Sequence, residues 1–557
     1  MSDFETTSTS NFNVEKRVRV WAWNIRNIDT LEIEEKGIDI QSFLTYIENK
    51  DIDIFFHNLK FDGQFIVYQL LKDGFVYKEK PKKEKEFSCL IDEAGSWYSI
   101  DIVWKAYEKR TIHTRIYDSF KKIPLSVKGM AKSYELEEVK GEIDYDKFRE
   151  IGYQPTPEEW EYISNDTLIV AKVLKLHFEN GMNKMTIASD AYSLFREMHS
   201  EKKWRYLFPA ISEEEHNFVK RSYKGGFVWV NPTFKKKILE NVISFDVNSL
   251  YPDRMRNCLL PYNKGKYFKG KYKDDYIFPL YVQHFCCAFR LKKDHIPCIQ
   301  IKNSLRWNDS EYLTSSDCEV VELTLTNVDM ELFFQQYDVF NIHYIDGYKY
   351  KGRESTFEEY VDEIYKLKQE STGGKKQIAK LRLNSLYGKF GSAIERINMI
   401  PYIDENDNLA FTRSDKKECQ SKYIPIASFI TAYARYKTIT TAQKFMPDHF
   451  IYADTDSIHL VGISNETAST MIDVDSSRLG AWKYEGLAEK AIFLRQKTYL
   501  KMKEGKMHVT CCGMPDAVKK IVNFDNFITG AKFEGKLSQK RVKGGVLLNS
   551  GEFTIKT

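Results

Sequence analysis

The segment HFIYADTDSIHL, residues 449–460, sets Asp454 and Asp456 on either side of Thr455, between the apolar runs FIYA and SIHL. Short apolar runs bounded by a turn read as two buried strands, here a hairpin whose tip presents two acids. Carboxylates this close repel one another and destabilise a fold unless a cation neutralises them. A further buried-strand run, VISF, leads into Asp246 ahead of a turn at Pro252. A solvated turn that happens to read DTD is the plain alternative, and the buried flanks argue against it.

Between these acids lies KKQIAKLRLNSLYGKFG, residues 375–391. At about 100° per residue, Lys376, Lys380, Asn384 and Tyr387 fall within one arc of about 80°. Two cations, an amide and an aromatic ring on one stripe match a triphosphate with a base above it. A solvated basic face accounts for the lysines but not for Tyr387. Ser355 to Glu358 reads as a capping box opening a helix through about Glu370, and Thr372-Gly373-Gly374 turns the chain into the lysine-rich helix, giving an antiparallel pair.

The N-terminal third carries another acidic set. Asp3 and Glu5, two apart in a strand-like start, share one face of it. The run DIDIFF ends at His57-Asn58 and leads to Asp62, where a strand passes into a helix. Thr156-Pro157-Glu158-Glu159 is a capping box with proline at the first helical position, opening a long helix to Asn180-Gly181, and Tyr162 and Asp166 lie four apart on it. Converged, these elements make an all-oxygen site for Mg²⁺ or Mn²⁺. A pair of such ions activates a water and holds the leaving oxygen of a phosphodiester, with Tyr162 placed to orient the water.

With 557 residues, 42% hydrophobic and 29% charged, the chain exceeds a single core and is read as several α+β domains. YIDENDNLAF, 402–411, reads as a hairpin. No run approaches a membrane span and Met1-Ser2-Asp3 opens no signal peptide, so a cytosolic protein without a membrane role is expected. Nine cysteines without a CxxC pair predict reduced thiols and no structural zinc. The net charge of +4 is matched by the segment from Cys512 onward, with eight Lys or Arg against four acids. A basic tail interleaved with Phe524, Phe527 and Phe533 suits a surface that follows phosphates.

The motifs DFET at Asp3, HNLKFDG at His57, YISND at Tyr162, YKGG at Tyr223, DVNSLYP at Asp246, KLRLNSLYGKF at Lys380, TAYAR at Thr431, YADTDS at Tyr452 and KTY at Lys497 occur in one order along the chain. In this the sequence resembles the protein-primed family B DNA polymerases of the phi29 phage type. The resemblance implies a right hand of palm, fingers and thumb, with an N-terminal RNase H-like 3′→5′ exonuclease domain and two family-specific insertions. The corresponding limits are 1–186 for the exonuclease, 187–257 and 419–511 for the palm, 258–355 and 391–418 for the insertions, 356–390 for the fingers and 512–557 for the thumb.

By the same resemblance, Asp3, Glu5, Asp62 and Asp166 are the exonuclease carboxylates, assisted by Tyr162 and Lys140. Glu142 stands where the family has an aspartate near the exonuclease metals. Thr6, His57, Asn58, Phe61, Ser119 and Tyr145 hold the single-stranded 3′ end. Asp246, the Val247 carbonyl and Asp456 bind the polymerase metals, and Asp454 is also required. Lys368 and Lys380 hold the triphosphate, Tyr251 excludes ribonucleotides by bulk at C2′, and Asn384 and Tyr387 meet the nucleotide. Tyr223, Gly225, Gly226, Thr431, Arg435, Lys497 and Tyr499 contact template or primer.

The activities implied are DNA-directed synthesis with proofreading, strand displacement and high processivity, using two Mg²⁺ ions per site, with Mn²⁺ as a substitute. The implied partners are template and primer DNA, dNTPs, a terminal protein that supplies the priming hydroxyl and a single-stranded-DNA-binding protein. The enzyme is expected to be a virus-encoded monomer in a bacterial cytoplasm. A family B polymerase extending ordinary nucleic-acid primers is the enzymatic alternative. A DNA-binding scaffold with a dead polymerase fold is the other, and intact acids at both sites argue against it.

Overall fold

Thr156 caps its helix as the sequence predicts: its hydroxyl accepts from Glu159 N while the Glu159 carboxylate accepts from Thr156 N, and the helix runs Pro157–Glu179. The computed structural model, which describes residues 1–138, 141–306, 308–419 and 422–556, lays this helix across a three-stranded antiparallel sheet of Ser2–Thr6, Val20–Arg26 and Ile33–Gly37. Asp3 and Glu5 sit on the first of these strands, two apart. A second, five-stranded sheet contains the parallel pair Ile52–Phe56 and Thr111–Asp118, and the helix Leu59–Lys72 follows the first of the pair. Phe4 joins the two sheets, with its ring edge-on to Phe43 at 4.8 Å and to Phe56 at 4.9 Å.

The DVNS strand, Ile238–Val247, occupies the middle of a seven-stranded antiparallel sheet, flanked by Trp482–Arg495 and Ser457–Leu460. Its continuously buried stretch is Val242–Phe245, the run VISF that leads up to Asp246. Behind the sheet packs the helix Ile424–Gln443. Above it rise the antiparallel helices Glu358–Glu370 and Gly373–Phe390. The first corrects the capping box read at Ser355, since Ser355 has a left-handed φ of 57° and Phe357 occupies the cap position without a side-chain cap bond. Phe357 is fully buried and stacks on Phe195 at 4.5 Å, so an apolar anchor rather than a hydroxyl sets the entry angle of this helix.

The segment expected as the first insertion, 258–355, contains a four-stranded antiparallel sheet of Leu260–Lys269, Tyr337–Arg353, Leu280–Leu291 and Val321–Thr326. The segment expected as the second, 391–418, contains the hairpin Met399–Ile403 and Leu409–Arg413, whose turn is tied by the Asp404 carboxylate accepting from Asn406 N and Asn408 N. The C-terminal aromatics correct another expectation. Phe527 and Phe533 are buried in a small core with Leu500 and Phe553, and Phe524 packs against it. The exposed residues of the hairpin Lys532–Val542 and Gly545–Thr554 include Lys532, Lys536, Lys540 and Arg541, together with Glu534, Leu537 and Glu552.

The tip of that last hairpin returns to the N-terminal domain. Val18 N donates to Lys543 O at 2.9 Å, and a Cβ on Gly544 would lie 2.1 Å from Val18 O, so the close approach requires glycine there. Val546 and Leu547 enter the same core as Phe65. Asp407, in the segment 391–418, pairs with both Lys72 of the N-terminal domain and Lys543.

Candidate active sites

Main-chain bonds build the tip that holds the first carboxylate set. Thr455 adopts φ of 59°. Around it Asp456 N donates to Asp454 O, Thr455 N to Phe227 O, Val247 N to Asp456 O and the Thr438 hydroxyl to Thr455 O, each at 2.7 Å. Asp246 lies in register with Ser457, directly beside the tip. Asp454 is compensated: its carboxylate accepts from Lys497 Nζ at 3.0 Å and from the Tyr452 hydroxyl at 3.2 Å.

Asp246 and Asp456 carry the unfavourable charge. Burial pushes Asp246 up to about 7, with Asp456 and Glu485 adding repulsion and Lys483 and Lys380 opposing it. Burial also raises Asp456, and repulsion from Asp454 adds to it. Glu485 and Lys483, on the neighbouring strand Trp482–Arg495, are site residues that sequence reasoning missed. They belong to no recognisable motif, and only the strand register brings Lys483 opposite Asp246.

The helix Gly373–Phe390 presents its stripe to this cleft. Lys380 and Asn384 are exposed, and Lys380 lowers the pKa of both Asp246 and Asp456. Tyr387 stacks on Tyr251 with centroids 4.1 Å apart at 22°. Beneath them Gly226 leaves no room for a side chain, since a Cβ there would lie 2.6 Å from Thr455 Oγ1 and 3.0 Å from the Tyr251 hydroxyl. Lys368 Nζ donates to Ser249 Oγ at 2.9 Å. Burial lowers its pKa, and Lys380 and Lys376 add to the shift.

The second carboxylate set lies in the N-terminal domain. Asp3, Asp62 and Asp166 line one cavity of about 250 Å³ together with His57, Asn58 and Phe61. Gln539 and Leu548 of the C-terminal hairpin close another side. Burial raises Asp62 well above the ordinary carboxylate range, with repulsion from Asp3 and Glu5 adding to it, and its Oδ1 is buried without a hydrogen-bond partner. Burial also raises the Tyr162 phenol, and Asp166, Glu5 and Asp3 act in the same direction. Its hydroxyl meets that of Tyr145 at 2.6 Å.

Among the described residues no three His, Cys, Asp or Glu side chains are already closed into a metal cage. Like charges hold gathered carboxylates apart, and both donor sets are all-oxygen and net negative, which fits a hard divalent cation. The orphaned Asp62 Oδ1 fits the same donor role. A measurable consequence concerns Asp246. Its carboxyl keeps a proton up to about 7 in the folded chain, against an ordinary value of 3.8. Between those limits the folded state binds the extra proton, so this group's contribution to stability falls as pH rises and its full penalty stands above about 7. Millimolar Mg²⁺ is therefore expected to raise Tm more at pH 8 than at pH 5, and Asp246→Asn to shrink that difference. Equal increments at both pH values, or an unchanged difference in the variant, would refute it.

A match to the family described as DNA polymerase type B, organellar and viral covers residues 44–155 and 140–473. The chain belongs to the type B DNA polymerases. It is 42% identical to the DNA polymerase of Bacillus phage phi29, over 100% of this chain and 98% of that one. Identity to the DNA polymerase of Streptococcus phage Cp-1 is 33%, again over 100% of this chain and 98% of that one. Its fold superimposes on phi29 DNA polymerase complexed with primer-template DNA and incoming nucleotides with a TM-score of 0.93 at 41% identity, covering 100% of this chain and 99% of that chain. Phi29 DNA polymerase complexed with single-stranded DNA gives 0.93 at 40%, with the same coverage.

Several of the expected DNA contacts have partners within the protein. Ser119 is fully buried; its hydroxyl donates to Phe56 O at 3.0 Å and meets His57 Nδ1 at 2.9 Å, so it holds the histidine. Thr431 and Arg435 are buried on the helix Ile424–Gln443. Arg435 forks onto Asp329 and donates to Lys224 O and Gly225 O, which makes it a support for the glycine loop. Asp329 and Asp118 went unrecognised in the sequence. Asp118 Oδ1 accepts from Asn58 N at 2.9 Å and fixes Asn58 at a left-handed φ of 71°.

Of the remaining residues, Thr6, Phe61 and Tyr223 are half-buried, and Gly225 has open space on its side-chain face. Tyr223 lies against Gly391, where a Cβ would come within 2.6 Å of its ring. Lys497 pairs with Asp454, and Tyr499 packs on Tyr452 at 5.3 Å. Glu142 is exposed. Lys140 lies outside the described residues.

Proposed function

We propose that this type B polymerase joins DNA-directed synthesis with 3′→5′ proofreading, and that it starts synthesis from the hydroxyl of a terminal protein. The carrying observation is the second acidic cavity. Its carboxylates come from the strand Ser2–Thr6 and the helices Leu59–Lys72 and Pro157–Glu179, none of them part of the sheet that carries Asp246, and beside them lie His57, Asn58 and Phe61, the polar and aromatic groups a single-stranded end needs.

At the synthesis site, Asp246, Asp456 and the Val247 carbonyl hold two divalent ions, Mg²⁺ or in its place Mn²⁺, with Asp454 alongside. The bound ions supply charge neutralisation at the attacking 3′-oxygen and the departing pyrophosphate. Lys368, Lys380 and Asn384 orient the dNTP triphosphate. The stacked pair Tyr251 and Tyr387 closes the sugar and base side, where the bulk of Tyr251 discriminates against a 2′-hydroxyl. Tyr223, Gly225 and Gly226 lie along the template, and Lys497 and Tyr499 along the primer end.

At the degradation site, Asp3, Glu5, Asp166 and Glu142 would hold the ions, with Asp62 the further catalytic carboxylate. Tyr162 orients the attacking water and Lys140 assists. Thr6, His57, Asn58, Phe61 and Tyr145 grip the strand. The two insertions grip the priming protein and surround the template, which supports strand displacement and processivity in a monomer. A single-stranded-DNA-binding protein and a phage-infected bacterial cytoplasm complete the setting.

A 5′-labelled primer on a longer template with Mg²⁺ tests both activities. Extension with dNTPs and shortening without them are expected. Neither product from folded protein that binds DNA would favour the scaffold reading. Transfer of one labelled nucleotide to a terminal protein separates protein priming from the use of ordinary primers.

A further inference from the structure

Arg382 lies on the nucleotide helix Gly373–Phe390 but points away from its stripe. Counted from Lys376 at about 100° per residue, it falls near 240°, roughly opposite Lys380, Asn384 and Tyr387. Its guanidinium Nη2 donates to Asn180 O at 2.5 Å. Asn180 is the C-cap of the helix Pro157–Glu179, the helix that carries Tyr162 and Asp166.

Three further observations give this contact weight. The Arg382 main chain is itself held, because the Tyr360 hydroxyl donates to Arg382 O at 3.0 Å, which ties both helices of the fingers pair to one point. The nucleotide helix also docks at its start: a Cβ on Gly374 would lie 2.4 Å from Leu176 Cδ2 and 2.8 Å from the Tyr134 ring. The two contacts are eight residues apart, about 12 Å along a helix, so the helix is held along its length against one end of the exonuclease helix. Finally, a cation at a helix C-terminus completes its unsatisfied carbonyls and complements its dipole. Arg382 is half-buried, and the bond from Nη2 to Asn180 O places its side chain at this interface.

We infer that Arg382 is a positioning residue for the incoming nucleotide, pinning the lysine stripe over Asp246 by anchoring its back face to the exonuclease helix at Asn180. The inference rests on the stripe's assignment to the triphosphate. The side chain touches neither substrate nor metal. Its effect is to keep Lys376, Lys380 and Asn384 in register with the carboxylates, where a small displacement weakens binding of a multiply charged group.

The test compares Arg382→Met and Arg382→Lys with the unaltered chain. Methionine keeps helix propensity and much of the buried stem while removing the donor and the charge; lysine keeps one charged donor. R382M is expected to raise the KM for dNTP about tenfold, as loss of a hydrogen bond from a charged group implies. Its kcat at saturating dNTP and its degradation of single-stranded DNA without dNTPs should stay within about twofold, and R382K should recover most of the KM. An unchanged KM in R382M overturns the inference. So does R382K behaving no better than R382M, or a parallel loss of kcat and degradation in both variants, which marks a purely structural residue. Failure of the unaltered chain to extend a primer would instead sink the assignment of the stripe, and the two failures are separable.

Discussion

Asp456→Ala is expected to abolish DNA synthesis, lowering kcat by about a thousandfold or more, the scale set by groups that stabilise charge in phosphoryl transfer. Degradation of single-stranded DNA by the same variant should stay within about twofold, because additivity holds between separated sites that share no partners. The fold supports a clean result. What holds the tip are main-chain bonds, Asp456 N to Asp454 O and Val247 N to Asp456 O, and alanine keeps both. The carboxylate itself is half-buried and repelled by Asp454, so removing it relieves a cost in the metal-free protein. The Tm without divalent ion should therefore hold or rise while synthesis disappears. A fall in Tm accompanied by loss of both activities would show that Asp456 is structural and would undo the separation of the two sites.

Much of this arrangement was legible in the sequence because local chemistry determines it. The capping box at Thr156 forms as written, since both of its partners lie within four residues. The tip at Asp454 and Asp456 is a short hairpin between apolar strands, legible from its own run of residues, although bonds from Phe227, Val247 and Thr438 complete it. Tyr387 joins the lysine stripe because helical periodicity alone puts it there.

What was not legible depends on pairings between distant segments. Glu485 comes beside Asp246 only through register with a strand more than two hundred residues away. Nothing in TAYAR shows that Arg435 is buried, since Asp329, which neutralises it in the interior, arrives from the distant helix Asn327–Gln336. The packing of Ser119 under His57 likewise depends on two segments 62 residues apart. The failed box at Ser355 has the same origin: the burial of Phe357 against Phe195, from the palm side, outweighs a cap bond worth about 1 kcal/mol. Phe527 and Phe533 read as part of a basic surface that follows phosphates and serve as core because Leu500 and Phe553 supply a surface to bury them.

The converse substitution, Asp62→Ala, is expected to reduce degradation of single-stranded DNA by about a thousandfold. Primer extension at saturating dNTP should stay near its original rate. Asp62 has the features of a group kept for chemistry rather than for stability. It is buried, its Oδ1 has no hydrogen-bond partner, and Asp3 and Glu5 press its charge from the neighbouring strand. An acid in the first turn of Leu59–Lys72 interacts favourably with the helix dipole by about 0.3–1 kcal/mol, which offsets little of such burial. Alanine should thus leave the metal-free protein at neutral pH at least as stable as before.

A sharper consequence appears at low dNTP. When extension and removal compete for one primer end, the lowest dNTP concentration that gives net growth is set by the degradation rate. With degradation removed, that threshold should fall in Asp62→Ala while the KM for dNTP measured on single additions stays the same. A threshold that does not move would mean that the cavity holding Asp3, Asp62 and Asp166 does not act on the primer end used for synthesis. A KM that rises in parallel would mean that the two carboxylate sets are not independent, and the assignment of separate sites would fail.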